Sequence, residues 1–116
     1  MPKQKQPHLS ETFRAVLPAD RRAEHKKLFG NPCCFVNGTM FTSVHEGALI
    51  VRLSPTARAR LLKMEGAAVF EPLRGRPMTE YVRVPAAMLE DPASLRDWVQ
   101  RAFDYCAKLP RARKKA

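Results

Sequence analysis

Residues 33–53, CCFVNGTMFTSVHEGALIVRL, contain three runs rich in β-branched and aromatic residues, separated by two short turn signals. Asn37-Gly38 strongly favours a two-residue hairpin turn, and Glu46-Gly47 is a second turn signal. Because side chains alternate along a strand and cross-strand partners share a face, two such turns fix the register. This segment therefore predicts a three-stranded antiparallel meander.

The register that follows from two-residue turns sorts the meander into an apolar face and a mixed face. The expected pairs are Phe35–Met40, Cys34–Phe41, Met40–Leu53, Thr42–Val51 and Val44–Leu49. The apolar face is expected to carry Cys33, Phe35, Met40, Thr42, Val44, Leu49, Val51 and Leu53. The mixed face is expected to carry Cys34, Val36, Thr39, Phe41, Ser43, Ile50 and Arg52. We expect the apolar face to pack against helices.

Three helices and two further strands are predicted around the meander. The first predicted helix covers 10–17 and is capped by Ser10, the second is opened by Ser54-Pro55 and ended by Gly66, and the third is capped by Asp91. The two further strands are predicted over 67–71 and 79–84, and a polar loop is predicted over 21–27. Within the second helix, Ala57, Leu61 and Met64 are expected to face inward. In the last helix an apolar stripe, with Trp98 buried at its middle, comprises Leu95, Trp98, Val99, Ala102, Phe103 and Cys106. The order helix, three or four strands, helix, two strands, helix predicts a two-layer α+β fold with an antiparallel sheet of about five or six strands.

Length and charge indicate one domain between two basic tails. The chain has 116 residues, a net charge of +10, 45% apolar residues and no apolar run long enough to span a membrane or form a secretory signal. We expect a single domain over 9–108, flanked by flexible basic tails at 1–8 and 109–116. The candidate phosphate contacts in these tails are Lys3, Lys5, Arg111, Arg113, Lys114 and Lys115. The alternative is that the tails only increase solubility.

The sequence carries no motif for catalysis, a metal or a cofactor, and we expect none of the three. Cys33, Cys34 and Cys106 lack metal-ligand spacing and indicate reduced core thiols in a cytoplasmic protein. Cys34 and His45 are predicted to share a face but to lie too far apart for a catalytic hydrogen bond.

A connection over 72–78 is longer than an ordinary hairpin loop and contains two Arg residues. Exposed apolar side chains rimmed by Arg are typical of protein contacts. The candidate interaction surface comprises Phe41, Arg74, Arg76 and Met78. The alternative is that the loop packs onto the domain and Arg76 pairs with a nearby acid. We expect a protein partner or a homodimer, with nucleic acid as a further candidate and no membrane contact.

Seven pieces in order resemble the TfoX N-terminal domain family. The resemblance begins at residues 27–30 (KLFG) and 34–41 (CFVNGTMF), continues through 47–53 (GALIVRL), resumes at 70–72, 75–78, 81–82 and 84–85, and closes at Trp98-Val99. It covers roughly residues 10–108. The resemblance implies a bacterial cytoplasmic protein with a two-layer α+β fold like that of the secretion-chaperone group, and no enzymatic activity. It also implies a regulatory role, related to competence or transcription, exerted through protein contacts. The alternative function is non-specific nucleic-acid binding by the basic tails.

Overall fold

The computed structural model describes residues 7–28, 31–45, 47–73 and 75–109. Its helices are α1 (Pro7–Val16), α2 (Pro55–Leu62) and α3 (Pro92–Lys108), with a short 3-10 helix over Ala86–Glu90. Its strands are β1 (Glu24–Leu28), β2 (Asn31–Val36), β3 (Thr39–His45), β4 (Ala48–Arg52), β5 (Ala68–Leu73) and β6 (Arg76–Arg83). The strands form one antiparallel sheet in the order β1-β2-β3-β4-β6-β5. The predicted α+β fold and its element order are confirmed.

The turn between β2 and β3 joins the sheet to the last helix. Asn37 and Gly38 have φ values of 57° and 81°, as a two-residue turn with a right-handed strand twist requires. The Asn37 side-chain amide also donates a hydrogen bond of 2.7 Å to the carbonyl of Leu109, just after α3. This turn therefore closes the predicted hairpin and holds the end of α3 against it.

Strand β3 contains one residue more than the predicted register allows. Phe35 pairs with Met40 as predicted, but Cys34 pairs with Thr42, so Phe41 is the extra residue of a β-bulge. The predicted Cys34–Phe41 pair is therefore wrong. Beyond the bulge, the predicted pairs Thr42–Val51 and Val44–Leu49 are confirmed.

The bulge exchanges the faces predicted for β2 and the start of β3, because a shift of one residue reverses side-chain alternation. The sheet residues that join the main core are Cys34, Val36, Phe41, Val44, Leu49, Val51, Leu53, Val82 and Val84. Cys34, Val36 and Phe41 were expected on the mixed face, and that expectation is wrong. Met40, expected on the apolar face, instead packs in a second cluster with Ile50 on the other side of the sheet.

All three helices contribute to the main core and therefore lie on one side of the sheet. Their buried residues in this core are Phe13 and Val16 of α1, Leu61 of α2, and Leu95, Val99, Ala102, Phe103 and Cys106 of α3. The ring of Phe41 meets that of Phe103 edge to face, with 5.2 Å between centroids. The predicted stripe of α3 is confirmed except at Trp98, which is only partly buried and lies under the Arg101 guanidinium at 4.9 Å.

Two of the three predicted helix caps are present. The Ser54 hydroxyl accepts a hydrogen bond of 3.3 Å from the amide of Ala57, and the Asp91 carboxylate accepts one of 3.4 Å from the amide of Ser94. A proline follows each cap, at a position where its missing N–H leaves no hydrogen bond unmade. Each cap satisfies an amide at a helix start that has no partner within the helix.

Other predicted boundaries differ from the structure. Helix α1 begins at Pro7, three residues before Ser10, because proline is tolerated in a first turn. The predicted polar loop contains strand β1, whose lysines suit an edge strand because charged side chains discourage pairing with another chain. Helix α2 ends at Leu62 rather than at Gly66. Met64, expected to face inward, is 41% exposed because the helix has already ended.

The predicted seven-residue connection between the last two strands is wrong. Strand β5 continues to Leu73 and β6 begins at Arg76, so only residues 74–75 separate them. Gly75 has a φ of 82°, and its amide donates a hydrogen bond of 2.6 Å to the Glu71 carboxylate. The pairing of β5 with β6 has two register shifts, which accommodate residues that have no partner in a regular hairpin. No helix in the described part of the chain is both long and apolar enough to cross a membrane.

Replacing Phe41 with Ala should lower the free energy of unfolding by about 3–5 kcal/mol, because a fully buried ring would leave a cavity against Phe103. Phe41→Leu keeps most of the volume and should cost about 1.5 kcal/mol. Urea denaturation followed by circular dichroism measures both. Equal costs for the two variants would contradict a core position for this ring.

Candidate interaction surface

The side of the sheet that faces away from the helices carries a continuous group of apolar, aromatic and cationic side chains. We call it the open face and define it by Phe35, Met40, Ile50, Arg52, Phe70, Tyr81 and Arg83. Cross-strand pairing places them together: Phe35 lies opposite Met40, Ile50 opposite Arg83, and Arg52 opposite Tyr81. No described helix contributes to the core cluster on this side.

Tyr81 holds the middle of the open face in place. Its hydroxyl donates a hydrogen bond of 2.8 Å to the carbonyl of Met40, so the side chain on β6 reaches across β4 to β3. Burial raises the pKa of Tyr81, although the nearby Arg52 acts in the opposite direction. The phenol therefore stays protonated at neutral pH and keeps its hydrogen bond.

Three rings cover the centre of this face. Phe70 packs edge to face against Tyr81, with 6.3 Å between centroids, and against His45, with 5.0 Å. Together with Met40 they leave Ile50 only 1% exposed. The cluster is thus a second, smaller core that no described helix covers.

Two arginines on neighbouring strands supply the charge. The Arg52 guanidinium lies 5.9 Å from the centre of the Tyr81 ring, and its Nε atom is buried with no hydrogen-bond partner among the described residues. Arg83 is exposed beside Ile50. At the β2 end, the Lys26 ammonium lies 4.9 Å from the centre of the Phe35 ring and 3.8 Å from the Glu24 carboxylate. Cations over aromatic faces give this side of the sheet an amphipathic character.

The structure describes the side chains of two of the four residues predicted to form an interaction surface. Phe41 is fully buried in the main core, so the folded domain does not present its ring. Met78 is 39% exposed and pairs with Phe70, next to the open face. Arg76 belongs to β6, but its side chain and all of Arg74 lie outside the described residues.

The basic residues proposed as phosphate contacts lie outside the described residues. They are Lys3, Lys5, Arg111, Arg113, Lys114 and Lys115. The folded part reaches slightly into both predicted tails: Pro7 and His8 belong to α1, and Leu109 packs against the core.

The cysteines have the properties of core residues. All three are fully or almost fully buried, and burial raises the pKa of Cys33 and brings the pKa of Cys34 and of Cys106 to about 11. Because the thiolate is the nucleophile, such thiols are unreactive at neutral pH. Cys34 packs in the main core, whereas the His45 ring contacts Phe70 on the open face. The two were predicted to share a face, and the bulge separates them.

Two shallow depressions on the described surface have volumes of about 320 and 330 Å³. Arg22 lines the first and forms an ion pair of 3.0 Å with Asp20, whose pKa is lowered to about 2 by the hydrogen bonds from Arg22. Asp91 lines the second and caps α3 through Ser94. Arg22 and Asp91 thus stabilise a loop and a helix start. Within the described ranges, no three His, Cys, Asp or Glu side chains are placed to hold a metal ion.

Sequence reasoning missed most of the open face. Arg52 and Ile50 were correctly placed on the side away from the apolar face, but Phe70, Tyr81 and Arg83 were not connected with them. The available signal was alternation: Tyr81 and Arg83 are two residues apart in a strand, as are Ile50 and Arg52. Alternation along a strand does not predict that β6 lies beside β4 in the sheet.

The family model of the TfoX N-terminal domain matches residues 17–105 of this chain. The matched region includes all six strands, α2 and most of α3. No curated protein matches the chain.

The free energy of unfolding should fall as the pH rises from about 9 to about 11. In the unfolded chain Cys34 and Cys106 ionise near their ordinary pKa of 9.0, whereas in the folded protein they stay protonated up to about 11. Only the unfolded state loses these protons in that window, so stability decreases by up to about 1.4 kcal/mol per pH unit for each thiol.

Urea unfolding at a series of pH values measures this slope in the wild type and in a Cys34→Ala, Cys106→Ala double variant. The double variant should have a shallower slope, whatever its absolute stability. Identical slopes would show that these thiols do not change their pKa on folding.

Proposed function

The chain belongs to the TfoX N-terminal domain family, and from this premise we propose that it is a non-enzymatic cytoplasmic module that regulates a competence- or transcription-related process through protein contacts. The observation that carries the proposal is the open face, where apolar and aromatic side chains lie beside arginines and no described helix packs over them. Protein interfaces are enriched in aromatic residues, Met and Arg.

Met78 extends this surface. It is one of the few large apolar side chains that are strongly exposed in the described part of the domain, and its strand partner is Phe70 of the open face. An exposed Met beside an aromatic cluster provides the adaptable apolar area that a partner buries.

A non-enzymatic role fits the chemistry of the described side chains. The three thiols are held protonated by burial. Asp20 and Asp91 are engaged with Arg22 and Ser94, in arrangements that stabilise a loop and a helix start. These groups act in the fold, and the open face carries polar groups suited to recognition.

The alternative function is non-specific nucleic-acid binding, and the charge distribution favours it as the second candidate. Six of the basic residues in this chain of net charge +10 lie at 3–5 and 111–115, with no acidic residue near them. Clustered Lys and Arg bind phosphate backbones by releasing counterions, without reading sequence.

Met78→Glu should abolish capture of a stoichiometric protein partner from the native host, because it places a charge where an apolar contact is needed. Met64→Glu is the matched control, since Met64 is equally exposed but lies beyond α2. Affinity capture with quantitative mass spectrometry, alongside sedimentation to detect self-association, measures the effect. Equal capture by both variants would reject the open face as the contact surface.

Deleting residues 1–6 and 110–116 should remove most binding to generic duplex DNA, if the tails are what binds. The deletion spares α1 and Leu109 and takes away six positive charges. Fluorescence anisotropy at several salt concentrations gives the affinity and its salt slope, both of which should decrease. Unchanged affinity and slope would assign the binding to the folded domain instead.

A further inference from the structure

The two arginines of the open face have no anionic partner within the described part of the domain. Arg52 of β4 lies opposite Tyr81 of β6, and Arg83 follows Tyr81 by two residues on β6. Arg52 and Arg83 are therefore diagonal neighbours on one face of the sheet. The ion pairs formed between described residues are Asp20–Arg22, Glu24–Lys26 and Asp97–Arg101. Among the described residues, this face therefore carries two neighbouring positive charges that no carboxylate pairs with.

Arg52 is built into the face rather than projecting freely from it. It is half-buried, stacks near the Tyr81 ring, and keeps its Nε atom out of solvent without a hydrogen bond from the described residues. A buried donor without a partner costs free energy. A carboxylate can form two parallel hydrogen bonds with the planar guanidinium, and its negative charge neutralises the arginine.

Apolar side chains surround the arginine pair. Phe70, Tyr81 and Met40 form the floor beside Arg52, and Met78 is exposed at the Phe70 end. A small free anion would use the arginines alone and leave the exposed Met78 and the partly exposed Met40 in water. A segment with carboxylates next to aliphatic or aromatic side chains would use both.

The terminal stretches of the chain do not supply such a segment. The stretches 1–6 and 110–116, which lie outside the described residues, carry Lys and Arg and no acid. A second copy docked symmetrically through this face would place the same arginine-bearing patch on both sides of the interface. Like charges in a shared interface oppose association. Charge complementarity thus requires a different, acidic partner.

We propose that the open face binds an acidic segment of another protein, in which Asp or Glu residues adjoin aliphatic or aromatic residues, with Arg52 and Arg83 binding the carboxylates. This inference rests on the proposed function, since it names the chemistry of the partner. It adds the residues that select that partner.

A displayed library of random dodecapeptides, selected on the full chain, tests the proposal directly, because the selection does not require the natural partner to be identified. We expect the enriched peptides to combine Asp or Glu with Leu, Ile or Phe. A selected peptide carrying a fluorophore then gives affinities by anisotropy, and amide shifts in NMR spectra should locate it on β3, β4 and β6. Labelled oligo-dT is measured in parallel as the nucleic-acid probe.

Arg52→Gln and Arg83→Gln should each weaken binding of the selected peptide about tenfold, the loss expected for a hydrogen-bonded charge. Arg60→Gln, which removes the same charge from the exposed side of α2, should leave the affinity unchanged. Because Arg83 is exposed, its variant separates lost binding from lost folding.

Enrichment of neutral or basic peptides would overturn the acidic partner while leaving protein contacts as the function. Equal binding of an acidic peptide to the wild type and to the Arg52→Gln, Arg83→Gln double variant would also overturn the acidic partner while leaving protein contacts as the function. No enriched peptide together with tight binding of oligo-dT to the open face would overturn both the inference and the proposed function.

Discussion

The packing of Phe41 against Phe103 is the interaction on which the arrangement of the sheet depends. Phe41 is the extra residue of the β3 bulge and is fully buried between the sheet and α3. Without an extra residue here, regular alternation along β3 would place this ring on the side away from the helices. The bulge turns it inward, and burial of a large aromatic ring compensates for the locally interrupted hydrogen bonding.

The composition of the open face follows from the inward position of Phe41 at the bulge. Once Cys34, Val36 and Phe41 pack under the helices, Phe35 and Met40 must lie on the other side. The carbonyl of Met40 accepts the hydrogen bond from the Tyr81 hydroxyl. One inserted residue therefore determines both the content of the main core and the position of the aromatic cluster on the opposite face.

Prediction from sequence worked where the signals were local. The caps at Ser54 and Asp91, the Asn37-Gly38 turn and, apart from Trp98, the stripe of α3 each follow from a few neighbouring residues and are present. The predicted helix start at Ser10 and helix end at Gly66 are not. Prediction failed where tertiary packing decided. The bulge at Phe41 depends on Phe103, more than sixty residues away, and strand β1 has a polar sequence that forms a strand because β2 offers it an edge.

The candidate site was predictable only in part, for a related reason. Alternation placed Ile50 and Arg52 on the face away from the apolar side, and Met78, which the sequence analysis singled out, is exposed. The neighbours of Arg52, however, come from β6, which enters the sheet between β4 and β5. Sequence order gives no direct signal for that insertion, and Phe41 was drawn into the candidate surface because the bulge was not recognised.

Arg52 is where the requirements of folding and of recognition differ. A half-buried guanidinium whose Nε atom has no hydrogen-bond partner among the described residues is costly to keep in a sheet, because desolvating a charge costs free energy. Its neighbours Ile50 and Tyr81 are well buried, so an apolar side chain would continue their cluster. Residues that oppose the local packing pattern occur mainly at functional sites. Packing within the sheet therefore does not account for Arg52, whereas the proposed contact with an acidic partner would.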